Sequence, residues 1–397
     1  MFVDLPAAQT SNPGALSVPI GHKVQQLHRH RCRCAWLYEN PDTSTFRYRV
    51  LNMIEAVSAQ ADRPLAASWF SAGELAELEH EIENLSVLVV ARYRYSMRLH
   101  RLVMKARHHG VRILFETDDL VFDPEYIPLI ADTLAQDLLS VQMWDQWFAY
   151  IGRLGAAARL CEGGITTNDF LAQRLQTMLG GAPVAVVPNF LNRQQQAFSA
   201  ELLEAKRRGG WRRDGHVTIG YFSGSPTHRK DFAVAAPALA RLLDRDPRVR
   251  VRVAGYLDST GPLQRHADRV EVMPHMDYVA LQRAIAEVEI NIAPLQDNVF
   301  TNCKSELKFF EAAVVGTWTI ATPTYTFERA IDDPRMGRLA RAHEWDDALA
   351  EAVDLVHTPQ AYMERAEFAA AQVVGRYGWD RWGNEIETAL FRRNNRD

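Results

Sequence analysis

Short hydrophobic runs alternate with amphipathic stretches along the whole chain. The runs at residues 85–92 and 111–117 are rich in Leu, Val and Ile, which is typical of parallel strands covered on both faces. Residues 97–109 carry apolar side chains at helical spacing, and Gly110 follows in the position that commonly ends a helix. This alternation predicts an α/β fold.

The same pattern continues through both halves of the chain. In the first half it predicts strands at 34–40, 85–92, 111–117, 158–168 and 182–190, with helices at 46–60, 97–109 and 169–179. In the second half it predicts strands at 217–224, 249–256, 269–276, 288–295 and 317–324, with helices at 232–243, 278–285, 301–315 and 363–393. The charged stretch 204–216 lies between the two sets, and we interpret it as an interdomain connection.

Composition and charge narrow the class of protein. A length of 397 residues favours two domains, and a net charge of −4 gives no whole-molecule reason to expect nucleic-acid binding. No window reaches the roughly 18 apolar residues of a spanning helix, and the N-terminus lacks the features of a secretory signal. The four cysteines form no CxxC pair, so we expect reduced thiols, no zinc site and a cytoplasmic location.

The segment 223–232 follows a predicted strand and opens a predicted helix. Its small residues, Gly224 and Ser225 among them, allow a ligand to approach the backbone closely. Arg229 and Lys230 then lie near the helix N-terminus, where the dipole already favours an anion. Together they suit a diphosphate, and the alternative is a plain turn with exposed basic residues.

A second candidate segment runs from residue 294 to 324. On the predicted helix, Lys304, Lys308 and Glu311 share one face. A lysine in the first turn complements phosphate charge, and Glu311 is placed to accept hydrogen bonds from vicinal hydroxyls such as those of ribose. The alternative is a surface Lys–Glu ladder.

Paired carboxylates end the predicted strand 111–117. Asp118 and Asp119 follow it directly, at the strand end where α/β proteins bind ligands. Such a pair can hold a metal, act as a general base or hydrogen-bond an acceptor sugar. The alternative is capping of a loop or helix by Asp.

The segment 92–112 is strongly basic and contains no acidic residue. On a helix, Arg98, Arg101 and Lys105 point outward, so this face suits contact with anionic lipid. The alternative is a solvated basic face. The nearby aromatic residues Trp144, Trp147 and Phe148 are expected in a core or an interface rather than in a sugar platform.

Taken together, these segments resemble the donor-binding half of GT-B glycosyltransferases, close to family 4. The specific part of the resemblance is the series IGYFSGSPTHRKDF, RVRVAGY, MPHMDYVALQRAI and INIAPLQDNVFTNCKSELKFFEAAVVGTWTIATPT. The first half adds the diffuse segments RYRV, FETDDLVFD, TTNDFLAQRL and VVPNF. The resemblance covers roughly residues 35–385.

The resemblance implies roles for several residues. Gly224, Ser225 and their neighbours would lie against the donor diphosphate, and Arg229 or Lys230 would neutralise it. Residues 273–276, with Met276, would flank the nucleobase, and Glu311 would hold the ribose hydroxyls.

One position departs from the family pattern. Many family 4 members carry a glutamate eight residues before the one that matches Glu311, and Cys303 occupies that position here. The nearest polar substitutes are Asn302, Lys304 and Ser305. The contacts with the donor sugar are therefore expected to differ from those of the family pattern.

The resulting expectation is a GT-B fold, with two Rossmann-like domains facing a cleft. Residues 1–200 would bind the acceptor, residues 201–375 the donor, and residues 376–397 would form a helix that returns to the first domain. The candidate catalytic residues are Asp118, Asp119 and Lys304, with no metal or other cofactor beyond a nucleoside-diphosphate sugar as substrate.

The expected reaction is glycosyl transfer to a glycan or lipid-linked glycan, with retention of configuration if family 4 chemistry holds. The expected setting is surface polysaccharide or glycoconjugate synthesis at the inner face of the membrane, with peripheral contact through residues 92–112. An epimerase-like sugar-nucleotide enzyme and a non-catalytic nucleotide-binding scaffold are the alternatives.

Overall fold

Two parallel β-sheets of six strands each organise the chain. The computed structural model describes residues 1–11, 14, 16–41, 44–60, 65–223, 229–255 and 261–391. The first sheet has the order β2-β1-β3-β4-β5-β6, and the second has the order β12-β11-β10-β7-β8-β9. The predicted α/β fold with two Rossmann-like sheets is confirmed.

The strands of the first sheet are β1 Cys32–Tyr38, β2 Leu65–Phe70, β3 Val87–Ala91, β4 Arg112–Glu116, β5 Gly163–Thr166 and β6 Val184–Val186. Those of the second are β7 Val217–Ser223, β8 Val249–Gly255, β9 Val270–Met273, β10 Ile290–Ala293, β11 Trp318–Ala321 and β12 Gly337–Leu339.

The helices of the first half are α1 Ile20–Leu27, α2 Ser44–Phe46, α3 Asn52–Ser58, α4 Leu75–Glu81, α5 Met97–His108, α6 Ile127–Thr133, α7 Val141–Ala158, α8 Asp169–Met178 and α9 Arg193–Arg208. Those of the second half are α10 Arg229–Arg245, α11 Tyr278–Glu287, α12 Val299–Asn302, α13 Leu307–Ala313, α14 Tyr325–Ala330, α15 Trp345–Val356, α16 Pro359–Tyr377 and α17 Gly383–Phe391. None of the helices in the described part of the chain combines the length and hydropathy that crossing a bilayer requires.

The prediction of one helix over residues 301–315 was wrong. Helix α12 begins at a capping box of Asn298 and Thr301 and ends at Asn302, and α13 begins at Leu307. In the break, the Cys303 carbonyl accepts a hydrogen bond from Asn168 and the Lys304 carbonyl accepts one from Thr326. Lys304 therefore lies in the break between the two helices. It does not share a helix face with Lys308 and Glu311.

The predicted helix over residues 46–60 is interrupted by a π-helical segment, Arg47–Leu51, between α2 and α3. A π-helical turn adds a residue to the helical repeat and is frequent at functional sites. Arg47, Tyr48 and Arg49 are all buried here, and their polar ends meet partners from other elements.

The predicted interdomain connection begins too early. Helix α9 continues to Arg208 and buries Lys206, so the charged stretch is partly the last turns of an amphipathic helix. Gly209 and Gly210 end that helix, and Gly210 has a positive φ of 61°.

The C-terminal helix returns to the first half, as the resemblance implied. Helix α17 packs against α3 and buries Ile386 and Leu390 in a core cluster that also contains Val50 and Met53. The Trp382 ring stacks on Phe190, with ring centroids 6.5 Å apart. Because this cluster contains residues from both sheets, the two halves share part of one core.

Candidate active site

A cleft of about 1440 Å³ lies between the two halves of the chain. Loops at the carboxyl ends of strands in both sheets contribute to it, which is where open parallel sheets bind their ligands. Six of the residues predicted to form the site line this cleft: Asp118, Asp119, Met276, Lys304, Ser305 and Glu311.

Glu311, in the second half of the chain, contacts three side chains of the first half. It lies on α13 and is buried, with 5% of its surface exposed. Its Oε1 accepts a hydrogen bond from the Tyr48 hydroxyl, and Gln195 Nε2 lies 3.3 Å and Arg47 Nη2 3.4 Å from the same oxygen. Burial raises the pKa of Tyr48, so Tyr48 is a neutral donor to the carboxylate.

Arg47 is held firmly in this network. Its guanidinium carbon lies 3.9 Å from the centroid of the Tyr48 ring and 4.2 Å from that of Tyr278. Its Nη1 donates to Gln195 Oε1 over 2.9 Å, and Gln195 in turn donates to Gln282. A planar cation between two aromatic rings is a pre-organised arrangement, so the wall beside Glu311 is positively charged and rigid.

Asp118 is fixed as a carboxylate on the opposite wall. Arg92 Nη1 donates to Asp118 Oδ1 over 2.9 Å, and Thr45 Oγ1 donates to Oδ2 over 3.1 Å. Burial by itself raises the pKa of Asp118, but Arg92 and Arg49 hold that pKa below its ordinary value. Arg92 also has a positive φ of 43°, a strained conformation that is concentrated at functional sites.

A chain of polar contacts runs behind Asp118 to the second half. The buried Arg49 donates to Glu116, and its Nη1 donates to Asn189 Oδ1 over 3.1 Å. Burial raises the pKa of Glu116 to about 7, although Arg49 opposes this shift. Asn189 Nδ2 then donates to Ser305 Oγ over 2.9 Å, so Ser305 is positioned from the first half.

Asp119 and Lys304 face each other across the cleft. Lys304 Nζ lies 3.6 Å from Asp119 Oδ2 and 4.4 Å from the centroid of the Phe300 ring. The other oxygen, Asp119 Oδ1, is buried and accepts no hydrogen bond from the described residues. A buried acceptor without a donor is costly, and a hydroxyl group of a bound ligand would satisfy it.

Lys308 lines the cleft beneath the end of β7. Its Nζ donates to the Phe222 carbonyl and lies 4.8 Å from the centroid of the Tyr221 ring. Burial lowers the pKa of Lys308 to about 8, with Asp231 and Glu311 opposing the shift. A cation is therefore present at the strand end that leads into residues 224–228.

Solved structures share this architecture. HepE from Anabaena, in complex with UDP-glucose, superposes with a TM-score of 0.57 at 13% identity and covers 90% of this chain and 98% of its own. The sucrose-phosphate synthase of Thermosynechococcus elongatus superposes with a TM-score of 0.54 at 13% identity, covering 89% of this chain and 97% of its own. At this level of identity the likeness establishes the fold.

Similarity in sequence points to the same class of protein. Residues 216–358 match the family described as "Glycosyl transferases group 1". The phosphatidyl-myo-inositol mannosyltransferase of Mycobacterium tuberculosis strain H37Rv is 25% identical over 314 residues, which are 75% of this chain and 78% of that protein. Residues 216–358 therefore carry a group 1 glycosyltransferase domain, and the chain as a whole has the two-sheet fold of GT-B glycosyltransferases. The resemblance to family 4 stated from the sequence is confirmed.

Three predicted site residues of the glycosyltransferase do not line the cleft, as the described residues define it. Arg229 and Lys230 begin α10, and Lys230 Nζ lies 2.7 Å from Asp132. The Asn302 side chain instead donates to the Asn298 carbonyl and accepts from the backbone of Tyr325. Gly224 and Ser225 lie outside the described residues.

Sequence reasoning missed Arg47, Tyr48, Arg92 and Gln195 as parts of the glycosyltransferase site. The RYRV segment entered only as a diffuse part of the resemblance, and its three polar residues in a row were the available signal. Trp147, expected in a core or an interface, lines the cleft. Phe148, one residue further, is half exposed.

Proposed function

We propose that this glycosyltransferase moves a hexosyl or deoxyhexosyl unit from a nucleoside-diphosphate sugar to a hydroxyl of a glycan or lipid-linked glycan. The supporting observation is one cleft in which Lys304, Lys308 and Glu311 face Asp118 and Asp119 of the other half. The proposed division assigns residues 1–200 to the acceptor, residues 201–375 to the donor and residues 376–397 to the returning helix. The proposed setting is surface polysaccharide or glycoconjugate synthesis.

On the donor side, Glu311 is proposed to accept hydrogen bonds from the ribose hydroxyls. Ligand hydroxyls would replace or join the Tyr48 hydroxyl at this carboxylate. Lys308, beneath the end of β7, is proposed to neutralise the diphosphate together with Lys304, and Met276 is proposed to contact the base.

The segment 224–230 would complete the diphosphate site. Gly224 and Ser225 are proposed to contact the diphosphate through the backbone, and Arg229 and Lys230 to add positive charge. Lys230 is 41% exposed and paired with Asp132, so a bound anion would compete with that carboxylate. Asn302 is proposed to act only indirectly, by holding the loop before α14.

The proposed chemistry joins the acceptor oxygen to the anomeric carbon. The bond from that carbon to the diphosphate oxygen breaks, and the hydroxyl proton passes to the departing phosphate. Lys304 and Lys308 stabilise the charge that develops on the diphosphate, and Asp118 and Asp119 orient the sugar hydroxyls. The acceptor oxygen is proposed to attack the anomeric carbon from the side on which the diphosphate departs, so the configuration is retained. No protein nucleophile or metal takes part in this proposed reaction.

The relatives and the charge of α5 support a proposal for the acceptor class. The mycobacterial relatives are named for transfer to phosphatidyl-myo-inositol, a lipid. We therefore propose a lipid-linked acceptor, with peripheral contact of residues 92–112 at the inner face of the membrane. Exposed Arg98 and Arg101 on α5 support this placement.

A nucleotide panel tests the central proposal. UDP, GDP, dTDP, ADP and CMP are added to the full chain and the melting temperature is measured. A site filled at 100 times its dissociation constant stabilises the fold by about 2.7 kcal/mol, which is readily measured. The nucleotide that binds identifies the sugar donors to use in transfer assays with lipid-linked acceptors. If no nucleotide changes the melting temperature, the proposal is wrong.

Glu311 provides the sharper test, and Glu306 is its matched control. Both glutamates are buried and lie at or beside α13, but only Glu311 lines the cleft. Glu311→Gln is expected to weaken nucleotide binding about tenfold or more, because it replaces a charged acceptor by a neutral one. Glu306→Gln is expected to leave the dissociation constant unchanged. Equal effects of the two variants would contradict the role of Glu311.

A further inference from the structure

A group of large apolar side chains is exposed around the N-terminal end of α7. Leu138, Leu139 and Val141 are 41%, 94% and 73% exposed, and Phe148 on the same helix is 50% exposed. The Phe148 ring lies beside Trp144, with ring centroids 6.4 Å apart. We call residues 138–148 the apolar tip.

Helix α5 flanks α7 on the same face of the first sheet. The buried sides of both helices contribute to one core, through Leu102 and Val103 of α5 and through Ile151 and Leu154 of α7. The backbone amide of Tyr95, just before α5, donates to Arg153 of α7 over 2.9 Å. The two helices therefore cover the same core and approach each other at Tyr95 and Arg153.

The outer side of α5 is both basic and apolar. Arg98 and Arg101 are exposed and form no ion pair with residues in the described ranges. Met97 and Met104 on the same helix are 59% and 48% exposed. Residues 92–112 contain no acid at all, whereas Asp137 precedes the apolar tip and Asp145 lies within it.

The exposed apolar side chains are concentrated in these two neighbouring elements. Of the nine large hydrophobic side chains that are exposed in the described part of the chain, six belong to the tip and to α5. Such concentrations mark an interaction surface, because scattered exposed apolar residues are the normal case. Apolar side chains bordered by unpaired arginines complement a bilayer of anionic lipid, which offers hydrocarbon beneath negative headgroups.

We propose that the apolar tip inserts into an anionic membrane surface and that α5 lies on the headgroups beside it. Leu134 and Trp147, next to and within the tip, line the active-site cleft. Insertion of the tip would bring the mouth of the cleft to the headgroup level, where a lipid-linked acceptor presents its sugar. The membrane contact deepens the proposed function, which supplies the acceptor class, but the contact itself is tested without any substrate.

The test is flotation of the full chain with vesicles of phosphatidylcholine alone or mixed with phosphatidylglycerol. The wild-type protein is expected to float with the mixed vesicles and to remain unbound with phosphatidylcholine alone. Leu139→Ser combined with Phe148→Ser is expected to lower the partition coefficient about tenfold or more, because two apolar side chains no longer leave water. Arg98→Gln combined with Arg101→Gln is expected to lower it by about fivefold per charge.

Matched controls come from exposed residues elsewhere. Val272→Ser with Val374→Ser removes apolar side chains that are 55% and 39% exposed, away from α5 and α7. Arg208→Gln with Arg245→Gln removes two charges from other parts of the chain in the same way. Both controls are expected to float like the wild type. The proposal is overturned if the wild type does not float, or if tip variants and controls float equally.

A second measurement guards against a folding defect. An environment-sensitive fluorophore is attached to the cysteine of a Leu139→Cys variant. Cys32 is replaced by Ser so that it does not take up the label, and the other cysteines are buried. Its emission is expected to shift to the blue with mixed vesicles, and Val272→Cys is expected to show no shift. A dimer that buries Leu139 without lipid would overturn the proposal. Nucleotide-dependent melting of each variant reports the donor site separately, so the two proposals can fail independently.

Discussion

Tyr48 of the first half donates a hydrogen bond to Glu311 of the second half, at the place where a nucleotide is proposed to bind. The same carboxylate oxygen lies within 3.4 Å of Arg47. In this structure Glu311 is therefore already partnered from the opposite domain. A ribose hydroxyl reaching Glu311 has to share it with Tyr48.

Replacing Tyr48 by Phe separates these two uses of Glu311. The variant is expected to lose about 1 kcal/mol of folding free energy, since one buried hydrogen bond is removed. Nucleotide binding is expected to stay equal or to tighten slightly, because a competing donor is gone. Calorimetric titration beside denaturant unfolding measures both. Marked weakening of nucleotide binding in the variant would show that Tyr48 assists the ligand instead.

Lys308 gives a pH dependence with a defined sign. Burial lowers its pKa to about 8, so its positive charge disappears as the pH rises through that value. If Lys308 neutralises the diphosphate, nucleotide affinity falls between about pH 7 and about pH 9.5. Lys308→Arg is expected to flatten this fall, because arginine stays charged. An identical profile in the variant would assign the pH dependence to another group.

The same shift predicts how Lys308 affects folding. Its pKa in the folded chain is below the unfolded value of about 10.4, so Lys308 destabilises the fold below about pH 8. That cost diminishes as the pH rises from about 8 towards 10.4. Lys308→Met removes the cost, and urea unfolding of the variant should show a weaker rise of stability with pH over that range than the wild type shows.

Asp119 is expected to affect turnover more than donor binding. Asp119→Asn keeps the size of the side chain but removes the charge, and a loss of about tenfold or more in kcat is expected from weaker orientation of the sugar hydroxyls. The dissociation constant of the nucleotide should change little, because Asp119 belongs to the first half. Unchanged turnover in Asp119→Asn would show that Asp119 has no role in the mechanism.

Asp118→Asn should in addition destabilise the fold, since Arg92 loses its partner.

Gly255 supports the strand end that precedes the diphosphate segment. It has a positive φ of 98°, and a Cβ there would lie 1.9 Å from the Ser223 carbonyl oxygen. Gly255→Ala is expected to cost about 2–4 kcal/mol of stability and to weaken nucleotide binding, because β7 has to shift. Gly261→Ala is the control, since Gly261 also has a positive φ but an added Cβ meets no atom of the described residues within 4 Å. Equal costs would mean that only the backbone conformation matters.

The strands were largely predictable because most are short runs of Leu, Val and Ile between helices. Strand β2 was missed because its sequence, LAASWF, is poor in large aliphatic residues, although all six positions are buried. The helix break at residues 303–306 was also missed. In the break, the Cys303 and Lys304 carbonyls are bound by Asn168 and Thr326, and these distant contacts cannot be seen in the local spacing of charges.

The candidate site was predictable where chemistry and strand ends coincide. Asp118, Asp119 and Glu311 were found for that reason, and the structure brings them into one cleft. Tyr48 and Gln195 were not found, because their importance depends on contacts with Glu311 over more than 100 positions in the sequence. Lys308 was seen as part of a charged face, but only the fold shows that it is partly buried in the cleft.

The π-helical segment Arg47–Leu51 also sets the rotational phase of helix α3, which begins directly after it. Within the segment, Tyr48 points to Glu311 of the second half and Arg49 points to Glu116 of the first. Deleting one residue there would return the segment to regular α-helical phase and rotate α3 by about 100° relative to Tyr48. The two carboxylates and the buried face of α3 cannot then all keep their partners. The single extra residue therefore allows consecutive side chains of one short segment to contact carboxylates in both domains.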